Sequence, residues 1–324
     1  MEKFDSRQKI AVNILMLRLM GLWPEKHESY SPNLYTLYAF ISVVGIIGSQ
    51  NFFQTMNICF VYKDLEALAA GIFLTTTDVL VSVKMCIFIQ NIKIVKKVIL
   101  SLNDDEFQPK NNRQVEMLQS SLKFWKVMYM SYFALISTIA TFWSILPILT
   151  GSVRNKQLPL DAWYFYDSTI SPLYEITYVY QCVAIVFLAI STTSIDSLIL
   201  VLMIYITGQC NNLCDSLTHL EANKKRNVHK RIIDCIKHHK KILSFALDSN
   251  RFFDKIILGQ FVTSTTVLAS TMFQLSLVNP FSTDGFIRIF YTVAVTTQIF
   301  IYCWFGNEVE LKVRLDGFIN VLPK

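Results

Sequence analysis

The stretch YEITYVYQCVAIVFLAISTTSIDSLILVLMIYI, residues 174–206, is a long and almost uninterrupted apolar run. As a helix it would extend for about 50 Å, at a rise of about 1.5 Å per residue. About 20 residues are enough to cross the hydrocarbon core of a bilayer. The run therefore predicts a membrane-spanning helix that continues beyond one membrane surface.

Five further apolar runs surround this one, and the chain is 52% apolar and only 17% charged. Soluble domains carry about a quarter charged residues. Backbone polar groups in lipid must be satisfied within the segment, so each run is expected to be a helix. The predicted fold is an all-α membrane domain over residues 1–324, with no repeat or linker that would divide it. Its other spans are Tyr35–Val61, Leu65–Ile92, Met128–Leu149, Ile256–Val278 and Phe286–Trp304.

Lysine and arginine are distributed unevenly between the two sides of the predicted bundle. Of the 30 basic residues, 25 fall on the side of the N-terminus and four on the other. Basic residues are retained on the cytoplasmic side of a membrane. We therefore expect residues 1–34 to be cytoplasmic and residues 150–173 to form an extracellular loop. The net charge of +6 then reflects sidedness, and no nucleic-acid partner is expected.

Residues 207–255 have apolar positions at helical spacing in a basic background. The pattern predicts two amphipathic cytoplasmic helices that extend the fourth and fifth spans. Their apolar faces need partners, either each other or another subunit. The positions are Leu213, Leu217 and Leu220 in the first helix, and Ile232, Ile236, His239, Leu243 and Leu247 in the second.

Two charged residues, Asp78 and Lys84, lie inside the second predicted span. A charge at the centre of a bilayer costs about 3 kcal/mol on insertion scales. Such residues usually face a protein interior or a wet cavity. For Lys84 we prefer the simpler interpretation that its amine reaches the nearby membrane interface.

The sequence carries no motif that would support catalysis. There is no G-x-S-x-G, H-E-x-x-H or phosphate-binding loop. Cys210 and Cys214 lie near several histidines, but their spacing matches no common zinc pattern. We expect no enzyme activity, no cofactor and no metal.

Five sequence elements, in this order, resemble elements of the insect odorant receptors. One of these elements lies in the predicted extracellular loop, residues 150–173. An interfacial aromatic belt alone does not explain the order of its aromatic and acidic residues. The elements are GLWP at 21–24, LPLDAWYFYD at 158–167, CIKHHKKILSF at 235–245, QFVTSTTVLASTMFQL at 260–275 and FIYCWFGNE at 300–308.

The resemblance implies a subunit of an odorant-gated cation channel in the plasma membrane of a sensory neuron. Family members bind small volatile molecules and form heterotetramers with a shared co-receptor subunit through their cytoplasmic extensions. Two alternatives remain at this point. One is a gustatory-type receptor of the same superfamily. The other is a seven-span G-protein-coupled receptor, which would need an extracellular N-terminus.

The resemblance also implies a pocket in the outer leaflet, among the second, third, fourth and sixth spans. A volatile ligand needs an apolar cavity with a few polar groups. From depth and spacing we choose two residues on each of these spans. They are Phe73 and Thr77, Thr138 and Phe142, Tyr178 and Cys182, and Tyr291 and Ala294.

The C-terminal tail, residues 312–324, departs from the family pattern. After Leu311 the family continues into a seventh, pore-lining span. The tail is shorter than the roughly 17 residues that a span needs. We therefore expect that this chain lacks the last span, as a shortened form or an incomplete gene model, and that it conducts poorly.

Overall fold

The computed structural model describes residues 4–24, 30–222, 228–277 and 281–313. Within these ranges the chain forms helices and connecting loops, and no strand. The helices are α1 (Ser6–Lys9), α2 (Ala11–Leu19), α3 (Leu34–Phe40), α4 (Ser49–Val61), α5 (Leu65–Gln90), α6 (Ile92–Ser101), α7 (Asn112–Leu149), α8 (Leu173–Ala222), α9 (Val228–Leu277) and α10 (Thr283–Val313).

Six helical segments of the described chain are long and apolar enough to cross a membrane, which confirms the predicted number of spans. The first, Leu34–Val61, joins α3 to α4 through a π-helical stretch, Ile41–Gly48. The other five lie within α5, α7, α8, α9 and α10. Residues 314–324, which carry most of the predicted atypical tail, lie outside the described part.

Helices α8 and α9 each contain 50 residues. Such a helix is about 75 Å long, more than twice the roughly 30 Å of a bilayer core. Both must therefore project from the membrane, as the sequence predicted. One end of the bundle contains these projections together with α2 and α6, and we call it the basic end. The opposite end, which carries residues 150–173, is the loop end.

The ring of Phe107 joins the projecting helices at the basic end. It is 1% exposed. It makes edge-on contacts with Tyr205 of α8 and with His238 and Phe245 of α9, at centroid distances of 5.8, 6.0 and 5.5 Å. Buried aromatic pairs in this geometry stabilise the fold by more than the burial of their apolar surface alone would. The projections are therefore packed against each other and against the α6–α7 connection.

Each projecting helix buries one face and leaves another open. Leu213 is buried and Leu217 is half-buried, while the side chain of Leu220 lies outside the described part. On α9, Cys235, His238, Ile242 and Phe245 are buried. The predicted apolar row is instead mostly exposed, and we call its exposed members the outer stripe: Ile232, Ile236, Leu243 and Leu247.

The N-terminal segment is docked on the bundle. Asn13 is fully buried, and its side-chain amide donates to the carbonyl of Ser194 at 3.0 Å. Gly21 has φ +79°, and a Cβ there would lie 2.8 Å from Ala39 Cα, so only glycine fits. Asn103 donates to Asp5 Oδ1 at 2.8 Å, which lowers the pKa of that carboxyl.

Candidate ligand-binding cavity

A cavity of about 150 Å³ lies inside the spanning part of the bundle. Five helices border it, and one residue of the loop at 150–173, Leu160, closes part of its wall. The lining is mostly apolar. Its residues are Leu74, Thr77, Asp78, Leu80 and Val81 of α5; Tyr132, Ile136, Ile139, Ala140 and Trp143 of α7; Ile185, Leu188, Ala189 and Thr192 of α8; Gln260, Thr263, Ser264 and Val267 of α9; and Tyr291, Ala294, Val295 and Gln298 of α10.

Helical periodicity explains why these residues meet. Each of three helices contributes positions i, i+3, i+4 and i+7, which form one continuous face. On α7 these are positions 136, 139, 140 and 143. On α8 they are 185, 188, 189 and 192, and on α9 they are 260, 263, 264 and 267. The cavity is thus the meeting point of three such faces with α5 and α10.

Three aromatic rings form a mutually packed group beside the cavity. The centroid of Phe73 lies 6.1 Å from that of Trp143 and 5.3 Å from that of Tyr291. Trp143 and Tyr291 are 6.0 Å apart. The Tyr291 and Thr77 hydroxyls are hydrogen-bonded at 2.6 Å, which fixes the Tyr291 ring. We call Phe73, Trp143 and Tyr291 the aromatic group.

Gln260 and Gln298 form a polar region in the wall of the cavity. Gln260 Nε2 donates to Gln298 Oε1 at 2.9 Å and to Ser264 Oγ at 2.8 Å. The Gln298 amide donates to Asp196 Oδ2. These bonds connect the cavity wall to a charged site beneath it.

That charged site is an ion pair between Lys84 and Asp196. Lys84 Nζ lies 2.6 Å from Asp196 Oδ1, and the two residues are 1% and 6% exposed. The Tyr302 hydroxyl also donates to Asp196 Oδ1, at 2.8 Å. The interpretation that Lys84 reaches the membrane interface is therefore wrong. Its amine is held in the interior because Asp196, on the fourth span, supplies the opposite charge.

The predicted site residues divide into two groups. Thr77, Tyr291 and Ala294 line the cavity, and Phe73 packs behind it in the aromatic group. These four residues lie on α5 and α10, where the positions predicted from the sequence fall on the inward face of each helix.

The other four predicted residues do not border this cavity. Thr138 and Phe142 lie on the exposed side of α7, because the inward face runs through positions 136, 139, 140 and 143. Tyr178 and Cys182 lie on α8 nearer the loop end than its first lining residue, Ile185. The Tyr178 hydroxyl donates to the carbonyl of Ser144 at 2.7 Å and so ties α8 to α7.

Sequence reasoning missed the contribution of the fifth span and the role of Asp78. Gln260 and Ser264 were singled out only for their resemblance to family positions. Asp78 was noted as a charge inside a span, a property that points to a cavity, and it is the lining residue with a carboxyl group. Trp143 directly follows the predicted residue Phe142 in the chain, but its side chain lies on the inward face of α7.

The loop wall is fixed by one buried glutamine. Gln181 of α8 is fully buried and accepts from the Leu160 amide at 2.9 Å. Its own amide donates to the Leu160 carbonyl at 3.0 Å and to the Tyr164 hydroxyl at 2.9 Å. The element LPLDAWYFYD is thereby held against the cavity.

Comparisons with known proteins agree with this architecture. A family model described as 7tm Odorant receptor matches residues 64–313. Odorant receptor Or1 of Anopheles gambiae is 25% identical, with 98% of this chain and 83% of the relative covered. Odorant receptor 46a, isoform A, of Drosophila melanogaster is 24% identical, with 96% and 80% covered.

Solved structures share the fold. The insect olfactory receptor OR5 from Machilis hrabei superposes with a TM-score of 0.82 at 20% identity, covering 97% of this chain and 81% of that one. The same receptor in complex with eugenol also gives 0.82, at 18% identity, with 98% and 90% covered.

Fold and cavity together describe a multi-pass helical membrane protein with an internal cavity. The chain belongs to the insect odorant receptor family, since the family model matches well over half of its length. This confirms the resemblance stated above, and it decides against the gustatory and G-protein-coupled alternatives. The family is not a family of enzymes.

Proposed function

We propose that this protein is an odorant receptor subunit that binds a small volatile molecule in the cavity bordered by α5, α7, α8, α9 and α10. The observation that carries the proposal is the cavity itself, a mostly apolar space inside the spanning bundle. Sites for small molecules are concave, mostly apolar and supplied with a few fixed polar groups. Here those groups are the hydroxyls, amides and single carboxyl of the lining.

Binding acts by shifting a closed–open equilibrium of a cation channel. A ligand shifts such an equilibrium only by its difference in affinity between the two states. Gln298 of α10 lines the cavity and donates to Asp196 of α8, which pairs with Lys84 of α5. A ligand that reorients Gln298 alters a contact shared by three helices, so this network is the proposed route from cavity to gate.

The active form contains a co-receptor subunit in a heterotetramer. The outer stripe on α9 supports this proposal, because four large apolar side chains at the basic end are exposed in the single chain. Contiguous exposed apolar rows commonly mark protein–protein contacts. The proposed location is the plasma membrane with a cytoplasmic N-terminus, supported by the 25 basic residues on that side.

Filling the cavity tests the proposed function. We expect Ala140→Phe to weaken binding of small volatile ligands to the full chain in lipid nanodiscs at least tenfold, because Ala140 lines the cavity. Titration calorimetry with a volatile panel measures this, with empty nanodiscs as the blank for partitioning into lipid. Ala134→Phe, on the exposed side of the same helix, is the matched control. Equal affinity in the two variants would overturn the proposal.

A further inference from the structure

Asp78 carries the single carboxyl group among the residues that line the cavity. No lysine, arginine or histidine is present in that lining within the described part of the chain. The nearby cation Lys84 is already held by Asp196 at 2.6 Å. The cavity therefore has an acidic group without a basic partner.

The position of Asp78 is fixed by the first span. Asn51 donates through its side-chain amide to the Asp78 carbonyl at 3.3 Å and to the Ser82 hydroxyl. Gln54 of the same span is 2% exposed, and its side-chain amide lies against the Asp78 carboxyl. These contacts hold Asp78 in place at the wall of the cavity.

The aromatic group gives a second and independent indication of the ligand. Trp143 and Tyr291 line the cavity together with Asp78, and the Tyr291 hydroxyl is hydrogen-bonded to that of Thr77, the residue before Asp78. The faces of Trp and Tyr rings attract ligand cations, and aromatic cages bind quaternary ammonium groups in this way. A carboxyl next to such rings suits a basic nitrogen better than it suits an ester or a hydrocarbon.

We propose that Asp78 makes this cavity selective for small amines. The ammonium group lies between the Asp78 carboxyl and the rings of Trp143 and Tyr291, and the hydrocarbon part packs on α7 and α8. An uncharged amine takes the proton of a neutral Asp78 carboxyl, and an ammonium ion pairs with the ionised carboxylate, so both routes give the same ion pair. The inference rests on the proposed function, because it assigns a ligand class to the same cavity.

The volume limits the size of the amine. An engineered cavity of about 150 Å³ in another protein binds benzene, and the present cavity has about the same volume. The ligand is therefore about one ring with a short aminoalkyl arm. Benzylamine fits this description, while ethylbenzene and benzyl alcohol have nearly the same shape without the basic nitrogen.

Binding of these three compounds to the unmodified full chain in lipid nanodiscs tests the inference. Titration calorimetry at neutral pH, with empty nanodiscs as the blank, gives the three dissociation constants. We expect benzylamine to bind at least tenfold more tightly than ethylbenzene or benzyl alcohol. Equal binding of all three overturns the inference and leaves the proposed function standing. Binding of none overturns both.

Two variants then assign the preference to its residue. We expect Asp78→Asn, which keeps the shape of the side chain, to lose the tenfold preference for benzylamine while it still binds ethylbenzene. Asp254→Asn, an exposed position on α9, is the matched control and keeps the preference. Retention of the preference in Asp78→Asn overturns the inference. The comparison of ligands on the unmodified chain decides the question even if this variant fails to fold.

Discussion

At the residue scale, Asp196 is the centre of the polar interior. It accepts hydrogen bonds from Lys84, Gln298 and Tyr302, which lie on two other helices. A buried ion pair adds little net stability compared with apolar residues of similar size, but removal of one partner leaves a charge without compensation. The pair therefore fixes how α5, α8 and α10 meet beneath the cavity.

Removal of the Lys84 amine should destabilise the bundle strongly. We expect Lys84→Met to lower the free energy of unfolding by about 3–5 kcal/mol, because Asp196 is left buried and unpaired. Unfolding by sodium dodecyl sulfate in mixed micelles measures this change. The double variant Lys84→Met with Asp196→Asn should recover most of the loss, because an uncharged amide oxygen at this position still accepts from Gln298 and Tyr302.

The matched control for Lys84 is a surface pair. Lys97 lies 2.8 Å from Asp248, but its side chain is 73% exposed. Exposed pairs contribute less than about 1 kcal/mol, so Lys97→Met should change the unfolding free energy little. A similar, small effect from both lysine variants would show that the buried pair does not have the role assigned to it.

At the scale of elements, the loop from 158 to 164 and helix α8 act as one unit through Gln181. We expect Gln181→Leu to leave both backbone polar groups of Leu160 without partners, at a cost of about 2 kcal/mol. The loop should then open more often. Hydrogen exchange of the amides of residues 158–164 should become about tenfold faster.

Gln157→Leu is the control for the loop. Gln157 is an exposed residue of the same loop, so its replacement should leave exchange in residues 158–164 unchanged. Equal exchange rates in the Gln181 and Gln157 variants would contradict the assignment of Gln181 as the anchor of the loop.

The helices could be predicted from sequence because apolar runs and helical spacing are local properties. The same properties placed the continuation of α8 and α9 beyond the membrane. They could not determine which face of a helix points inward when both faces are apolar. That is why Thr138 and Phe142 were chosen on α7 in place of Ile139 and Trp143. Nor could they pair Lys84 with Asp196, since the two are distant in sequence and meet only after packing.

At the scale of the whole molecule, the outer stripe is an apolar row at the basic end that a single chain leaves exposed. We expect Ile236→Ser combined with Leu243→Ser to reduce assembly with the proposed co-receptor subunit, because apolar contact area is lost. Co-purification of the two subunits from membranes, with cross-linking to count them, measures the effect.

Lys237→Ser is the control for assembly, since this exposed residue lies on another side of α9. It should leave the yield of the complex unchanged, and both variants should keep ligand binding in the distant cavity. Normal assembly of the Ile236 and Leu243 double variant would show that the outer stripe is not the subunit contact.

The central claim is that a small ligand occupies the cavity between the five spanning helices. Photolabelling tests it most directly, with a small aromatic diazirine bound to the full chain in nanodiscs and the labelled residues located by mass spectrometry. The account predicts adducts on the inward face of α7, at Ile136, Ile139 and Trp143, that an excess of ethylbenzene removes. Adducts concentrated at the outward residues Thr138 and Phe142, or labelling that excess ethylbenzene leaves unchanged, would contradict it.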